Sequence, residues 1–183
     1  GLVSLGMIGR MVCEHLQRFD HHVMVYDPMV DDAKITELGA TPATLEQIFE
    51  TCDAISLHTP WLKETENMIN AALLGSMREG ATLINTARGA IIDEHALIDV
   101  AGRRSDLQFV LDVTHPEPPE KDSPLYTLEN VALTPHIAGS VGPECARMGQ
   151  LVIDDLEKFL RDQPMDHEVD FDEAMKSSHR PSQ

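Results

Sequence analysis

With 183 residues, 42% of them hydrophobic, the chain can bury one substantial core with a little length to spare. Its 31 acidic against 14 basic side chains give a formal charge of −17, which repels nucleic acid and anionic membranes alike. No apolar run is long enough to span a bilayer, and Cys13, Cys52 and Cys145, widely spaced with no CxxC pair, fit a reduced cytoplasmic protein better than a disulfide scaffold.

In chain order, short β-type runs alternate with amphipathic stretches, the signature of a parallel sheet wrapped by helices. Gly1 already stands in an apolar run, with neither Met nor a basic leader before it, so the natural start is expected upstream. Strands are expected at Gly1–Leu5, His22–Tyr26, Asp53–His58, Ala81–Asn85, Gln108–Val113 and Val131–Thr134. They are rich in Val, Ile, Leu and Ala, as strands covered on both sides should be. Between the first two, Ile8, Val12, Leu16 and Phe19 recur at helical spacing and predict a helix over Met7–Phe19. Further helices are expected at Asp31–Leu38, Thr44–Thr51, Thr65–Met77 and Asp93–Ala101, with Gly39, Gly80 and Gly102 at C-cap positions. The proline-rich stretch from His115 to Asn130 reads as an ordered surface loop. After Gly142, Met148, Leu151, Val152, Asp155, Leu156 and Phe159 are spaced for one face of a long helix. From about Asp170 the chain turns polar and is expected to be disordered.

The first strand runs into Ser4-Leu5-Gly6-Met7-Ile8-Gly9, where a helix opens: a G-x-G-x-x-G dinucleotide fingerprint with Ser4 in the first slot. Gly6 lets a pyrophosphate approach the backbone, and Gly9 lets the helix pack on the strand. The helix N-terminus offers free N–H groups to the phosphates. Ser4 puts a side chain where the tight turn is made. Asp27 ends the second strand, 18 positions after Gly9. A carboxylate there accepts hydrogen bonds from the ribose hydroxyls and repels a 2′-phosphate, which selects NAD over NADP.

Three further segments end strands on the edge where open α/β sheets bind ligands: Asn85-Thr86-Ala87-Arg88-Gly89, Asp112-Val113-Thr114-His115-Pro116-Glu117-Pro118 and Thr134-Pro135-His136-Ile137-Ala138-Gly139. They gather a guanidinium, carboxylates and an imidazole at one rim. Hydride transfer to a 2-oxo acid needs such a set. Arginine forks onto the substrate carboxylate, histidine moves the hydroxyl proton near neutral pH, and a carboxylate orients the imidazole. Asp112, Glu117 and Glu120 all stand within reach of that last role.

Taken in this order, the three strings resemble the D-isomer-specific 2-hydroxyacid dehydrogenase family, from Gly1 to about Gly139 and onward through Leu160. The resemblance implies a Rossmann-type doubly wound α/β sheet, NAD as cofactor and no metal. The implied substrate is a small 2-hydroxy or 2-oxo acid, and the full-length protein would be a homodimer. By similarity Arg88 matches the substrate-binding arginine, Glu117 the carboxylate of the dyad and His136 the acid/base. Met7 and Ile8 fall at the pyrophosphate turn. Asp112 matches an acid facing the nicotinamide carboxamide, while Thr59, Pro60, Thr65, Thr86, Ala87 and Gly139 match cofactor-lining positions.

Family members place roughly one hundred residues of substrate domain before the glycine motif. The chain is therefore expected to be a fragment: a dinucleotide-binding domain over 1–139, a crossover helix and return segment over 140–169, and a disordered tail over 170–183. A cofactor-sensing corepressor on the same fold retains the same arginine, glutamate and histidine and is the rival reading. A formate dehydrogenase carries glutamine where Glu117 stands.

Overall fold

The computed structural model describes residues 1–171. Seven strands run parallel: β1 (Leu2–Val3), β2 (Met24–Tyr26), β3 (Thr41–Pro42), β4 (Ala54–Leu57), β5 (Thr82–Asn85), β6 (Gln108–Leu111) and β7 (Val131–Leu133). Their order across the sheet is β3-β2-β1-β4-β5-β6-β7. Chain direction through the sheet reverses at β1, which pairs with β2 on one side and β4 on the other. That switch point is where open α/β sheets hold ligands, beyond the carboxyl ends of the strands.

Helices α1 (Met7–Leu16) and α2 (Asp32–Glu37) accompany the β1–β3 half, and α3 (Leu45–Thr51), α4 (Ala71–Ser76) and α5 (Glu94–Arg103) the β4–β6 half. Two adjacent residues show how the sheet divides the core. Leu2 packs with Leu5, Cys13, Val25 and Ile35, while Val3 belongs with Phe49, Ile55, Leu57, Leu83 and Phe109. Successive strand side chains point to opposite faces, so β1 contributes to both clusters. The face of β4–β7 opposite the larger cluster is less covered. Ser56, Ile84, Val110 and Ala132 align across it in register, none of them buried.

Each expected strand forms, trimmed at its ends, but β3 was not expected. It has two residues, one of them Pro42, and its pairing to β2 rather than its own pattern makes it a strand. The helix expected over Thr65–Met77 begins only at Ala71. Asn70 caps it by accepting from the Ala72 and Leu73 amides. Upstream, the Ile69 amide donates to Ile91 instead of a helical partner. Helix α1 stops at Leu16, with turns carrying the chain to Phe19. Gly102 lies inside α5 rather than at its cap, because the helix continues to Arg103. Gly80, at φ 77°, turns the chain after α4 has already ended at Ser76.

The long helix forms as α6 (Pro143–Leu160) and contains no buried residue. Val152, Leu156 and Phe159 are all more than half exposed. Most of the tail expected to be disordered lies outside the described residues.

Candidate active site

The cofactor side begins at the β1–α1 turn. Ser4 takes a left-handed backbone, φ 78°, which a side chain adopts at a cost of about 1 kcal/mol. Its hydroxyl meets the buried Thr59 hydroxyl at 3.1 Å, tying the turn to the loop after β4. A Cβ on Gly9 would stand 2.2 Å from the Ser4 carbonyl oxygen, so only glycine lets α1 start this close to the turn. A Cβ on Gly6 would meet nothing within 4 Å, which leaves the outer side of the turn open. Gly6 caps α1 without a side-chain acceptor, and first-turn amides have no partner within a helix. Met7 and Ile8 stand exposed beside it. Such an open, amide-lined cradle at a ten-residue helix is suited to a diphosphate.

Asp27 faces the same turn. Its Oδ2 accepts the Leu5 amide at 2.6 Å and its Oδ1 the Met29 amide at 2.8 Å. The carboxylate is held at the strand end while each oxygen keeps acceptor capacity for a ribose hydroxyl. Two other expected cofactor-lining hydroxyls are engaged in shaping loops. Thr65 donates to the Pro60 carbonyl at 2.6 Å and accepts the Leu62 amide, and Thr59 also lies 3.4 Å from the Val3 carbonyl.

At the end of β5, buried Asn85 braces the turn that follows. Its Oδ1 accepts from the Ala87 amide and its Nδ2 donates to the Arg88 carbonyl. Thr86 and Arg88 project outward from this brace. The Arg88 guanidinium donates to the Ala87 carbonyl, and no hydrogen bond or ion pair joins it to the dyad among the described residues.

The loops after β6 and β7 meet in a histidine–carboxylate pair. His136 Nδ1 lies 2.6 Å from Glu117 Oε1, both side chains being a little under half exposed. Of the three acids in reach, the structure pairs His136 with Glu117. His136 has φ 52°, a second left-handed non-glycine residue, and its amide reaches the Asp112 and Thr134 carbonyls at 3.0 Å. Asp112 holds the rest of the loop. Its buried carboxylate accepts the Thr134 hydroxyl (2.5 Å) and the amides of Ile137 (2.9 Å) and Ala138 (2.8 Å). Burial pushes its pKa up, but those three donors and the nearby His136 outweigh burial and hold it below the usual carboxylate range. A cleft of about 400 Å³ opens beside the dyad, walled by Pro118, Pro119, Tyr126 and Leu133. Gly139 is exposed beyond it.

Two features carry weight here that sequence reasoning did not assign. Glu94 opens α5 and reaches the His115 amide, though a helix-start acid is ordinarily read only as a dipole partner. Among the described residues the buried Trp61 Nε1 finds no acceptor, while its ring meets His115 edge-on at 5.2 Å.

Known proteins resemble this chain in sequence and in fold. Residues 1–138 match the family model described as D-isomer specific 2-hydroxyacid dehydrogenase, NAD binding domain. The D-3-phosphoglycerate dehydrogenase of Archaeoglobus fulgidus is 31% identical over 92% of this chain and 32% of its own length. The glyoxylate reductase of Korarchaeum cryptofilum is 35% identical over 88% of this chain and 48% of its own. The structure of D-lactate dehydrogenase with NAD+ from Lactobacillus jensenii superposes with a TM-score of 0.80 at 28% identity, covering 93% of this chain and 55% of that one. The chain thus spans from a third to about half of the relatives it matches.

Proposed function

The chain belongs to the D-isomer specific 2-hydroxyacid dehydrogenase family, as its NAD binding domain, and from that premise we propose that the whole protein interconverts a small 2-hydroxy acid and its 2-oxo acid. The observation that carries the reading is the 2.6 Å contact between His136 and Glu117, on the same sheet edge as the glycine turn.

Gly6, Met7, Ile8 and Gly9 would hold the NAD diphosphate and Asp27 its ribose. Thr59, Pro60, Thr65, Thr86, Ala87, Asp112 and Gly139 would line the remaining path. When bound, the nicotinamide supplies or accepts the hydride. The chain's own residues do the rest. Nδ1 of His136 is engaged by Glu117, which leaves Nε2 as the atom that gives a proton to the forming hydroxyl or takes one from it. Glu117 fixes the ring and stabilises its cation, as a carboxylate partner does. Arg88 would leave the Ala87 carbonyl to fork onto the substrate carboxylate, planar group to planar group.

Residues 1–139 act in this proposal as the cofactor domain, and 140–169 lead toward a second wall. That wall lies in the additional length the relatives carry, and it excludes water from the substrate. The apolar side of α6 remains available to it. The same reading places the protein in a reducing cytoplasm, where the three free thiols suit it, as a homodimer in its full-length form. Sedimentation tests the last point.

The testing experiment is reduction of glyoxylate, hydroxypyruvate and pyruvate by NADH in the full-length protein, with and without His136→Ala. Turnover on at least one acid is expected, cut by the variant on the order of 10²–10⁴-fold. Undiminished turnover in the variant would remove His136 from the chemistry.

A further inference from the structure

The turn that delivers Glu117 to His136 is held mostly from outside itself. Beyond β6, the Asp112 amide makes one last sheet-type bond to the Asn85 carbonyl, and the chain then leaves the sheet edge. Glu117 follows five residues later with its side chain 44% exposed. What lies between therefore decides where its carboxylate stands.

Three neighbouring elements converge on that stretch at residue 115. Glu94 Oε2 accepts the His115 amide at 3.1 Å, across 21 residues of sequence. From beneath, the backbone after β5 lies flush against the turn: a Cβ on Gly89 would come within 2.0 Å of Thr114 and 2.6 Å of the His115 nitrogen. From the loop after β4, Trp61 meets the His115 ring. Inside the turn, the Thr114 hydroxyl donates to the Pro116 carbonyl at 2.8 Å. Only the Glu94 contact is a charge-assisted hydrogen bond to the turn's backbone.

Glu94 also makes little sense as a plain surface acid. It is partly buried, and its one side-chain hydrogen bond among the described residues is the one to His115. Burial raises its pKa, and the His115 amide draws it back. A helix-start acid gains its dipole energy while pointing at solvent. This one instead accepts a desolvation penalty to reach another loop.

We propose that Glu94 is a positioning residue for proton transfer, fixing the His115 amide so that Glu117 stays within hydrogen-bond distance of His136 Nδ1. The inference rests on reading Glu117 and His136 as the acid/base pair, and the test separates the two.

The readout is the imidazole Nδ1 proton of His136, observed by ¹H–¹⁵N NMR at low temperature on the 183-residue chain. Wild type should show a far-downfield, slowly exchanging signal, the signature of a short bond to a carboxylate. Glu117→Gln is the control and should speed its exchange or erase it. Glu94→Ala should accelerate exchange on the order of tenfold, the worth of one charge-assisted hydrogen bond. Glu94→Asp keeps the charge at the helix start but shortens the reach, so it should behave like Glu94→Ala even if the alanine variant folds poorly. Glu94→Gln keeps an acceptor oxygen but loses the charge assistance, so its exchange should fall between wild type and Glu94→Ala.

If Glu117→Gln removes the signal while Glu94→Ala and Glu94→Asp leave it untouched, the dyad stands and the proposal fails. A glutamine variant as damaging as the alanine also overturns it, since the acceptor oxygen would then not be the cause. A signal indifferent to Glu117→Gln strikes instead at the dyad.

Discussion

The glycine turn and the histidine loop each contain one non-glycine residue in the left-handed region, Ser4 and His136, and they maintain it in different ways. Ser4 sits among backbone: the Gly9 helix start lies against its carbonyl, and its side chain bonds to Thr59. His136 is braced by a buried carboxylate, Asp112, which takes a hydroxyl and two amides of the same loop. The tasks proposed for the two regions account for the difference. A phosphate needs amides and room, which any correctly shaped backbone offers. Proton transfer needs one imidazole in one orientation, so side chains must enforce it. Strained backbone is retained where its surroundings over-determine it.

Breaking the cofactor side by shape gives the largest effect. Gly9→Ala places a methyl against the Ser4 carbonyl, and overpacking of backbone on backbone costs about 1–3 kcal/mol or more. Thermal unfolding of the chain should fall by roughly 2–4 °C per kcal/mol, and NADH binding should weaken with it. An unchanged melting temperature would mean the turn yields.

In the histidine loop the corresponding break is chemical. Asp112→Asn leaves one of three donors without a proper acceptor, a loss of about 1–3 kcal/mol. The pH dependence has a definite sign. The Asp112 pKa is depressed in the folded chain, so its contribution is full above the unfolded carboxylate value of about 3.9 and fades as pH falls through the folded value. Melting curves between pH 5 and 2.5 should show wild type losing more stability than Asp112→Asn. Parallel curves would contradict the assignment.

The smallest effect is Ser4→Gly. Relief of about 1 kcal/mol of left-handed strain opposes the loss of the Thr59 hydrogen bond, worth about as much. Stability should stay within roughly 1 kcal/mol of wild type, and a drop beyond that would make the bond to Thr59 the dominant element of the turn.

These two regions also differ in how far they could be read from sequence. The β1–Gly6–α1 cradle and Asp27 are local patterns, a strand, a spaced glycine pair and a strand-end acid, so periodicity and spacing reach them. The apolar runs of β4, β5 and β6 are legible for the same reason. β3 is not, because Thr41–Pro42 has no pattern of its own and exists through pairing with β2. Helix α4 was overextended because the apolar spacing continues back through Ile69, whose amide is taken by the neighbouring loop. The dyad strings are visible, but what orients them is long-range. Nothing in a linear reading connects Glu94 to His115, or gives His136 a positive φ; both arise only when three strand ends are brought side by side.

Whether this chain holds a working NAD cradle is read by fluorescence titration of the 183-residue chain with NADH, with NADPH as comparison and Asp27→Ala as the variant. Saturable NADH binding is expected, clearly tighter than NADPH in wild type, with the gap narrowed by the substitution. Absence of saturable binding, or equal affinity for the two cofactors in wild type, would contradict it.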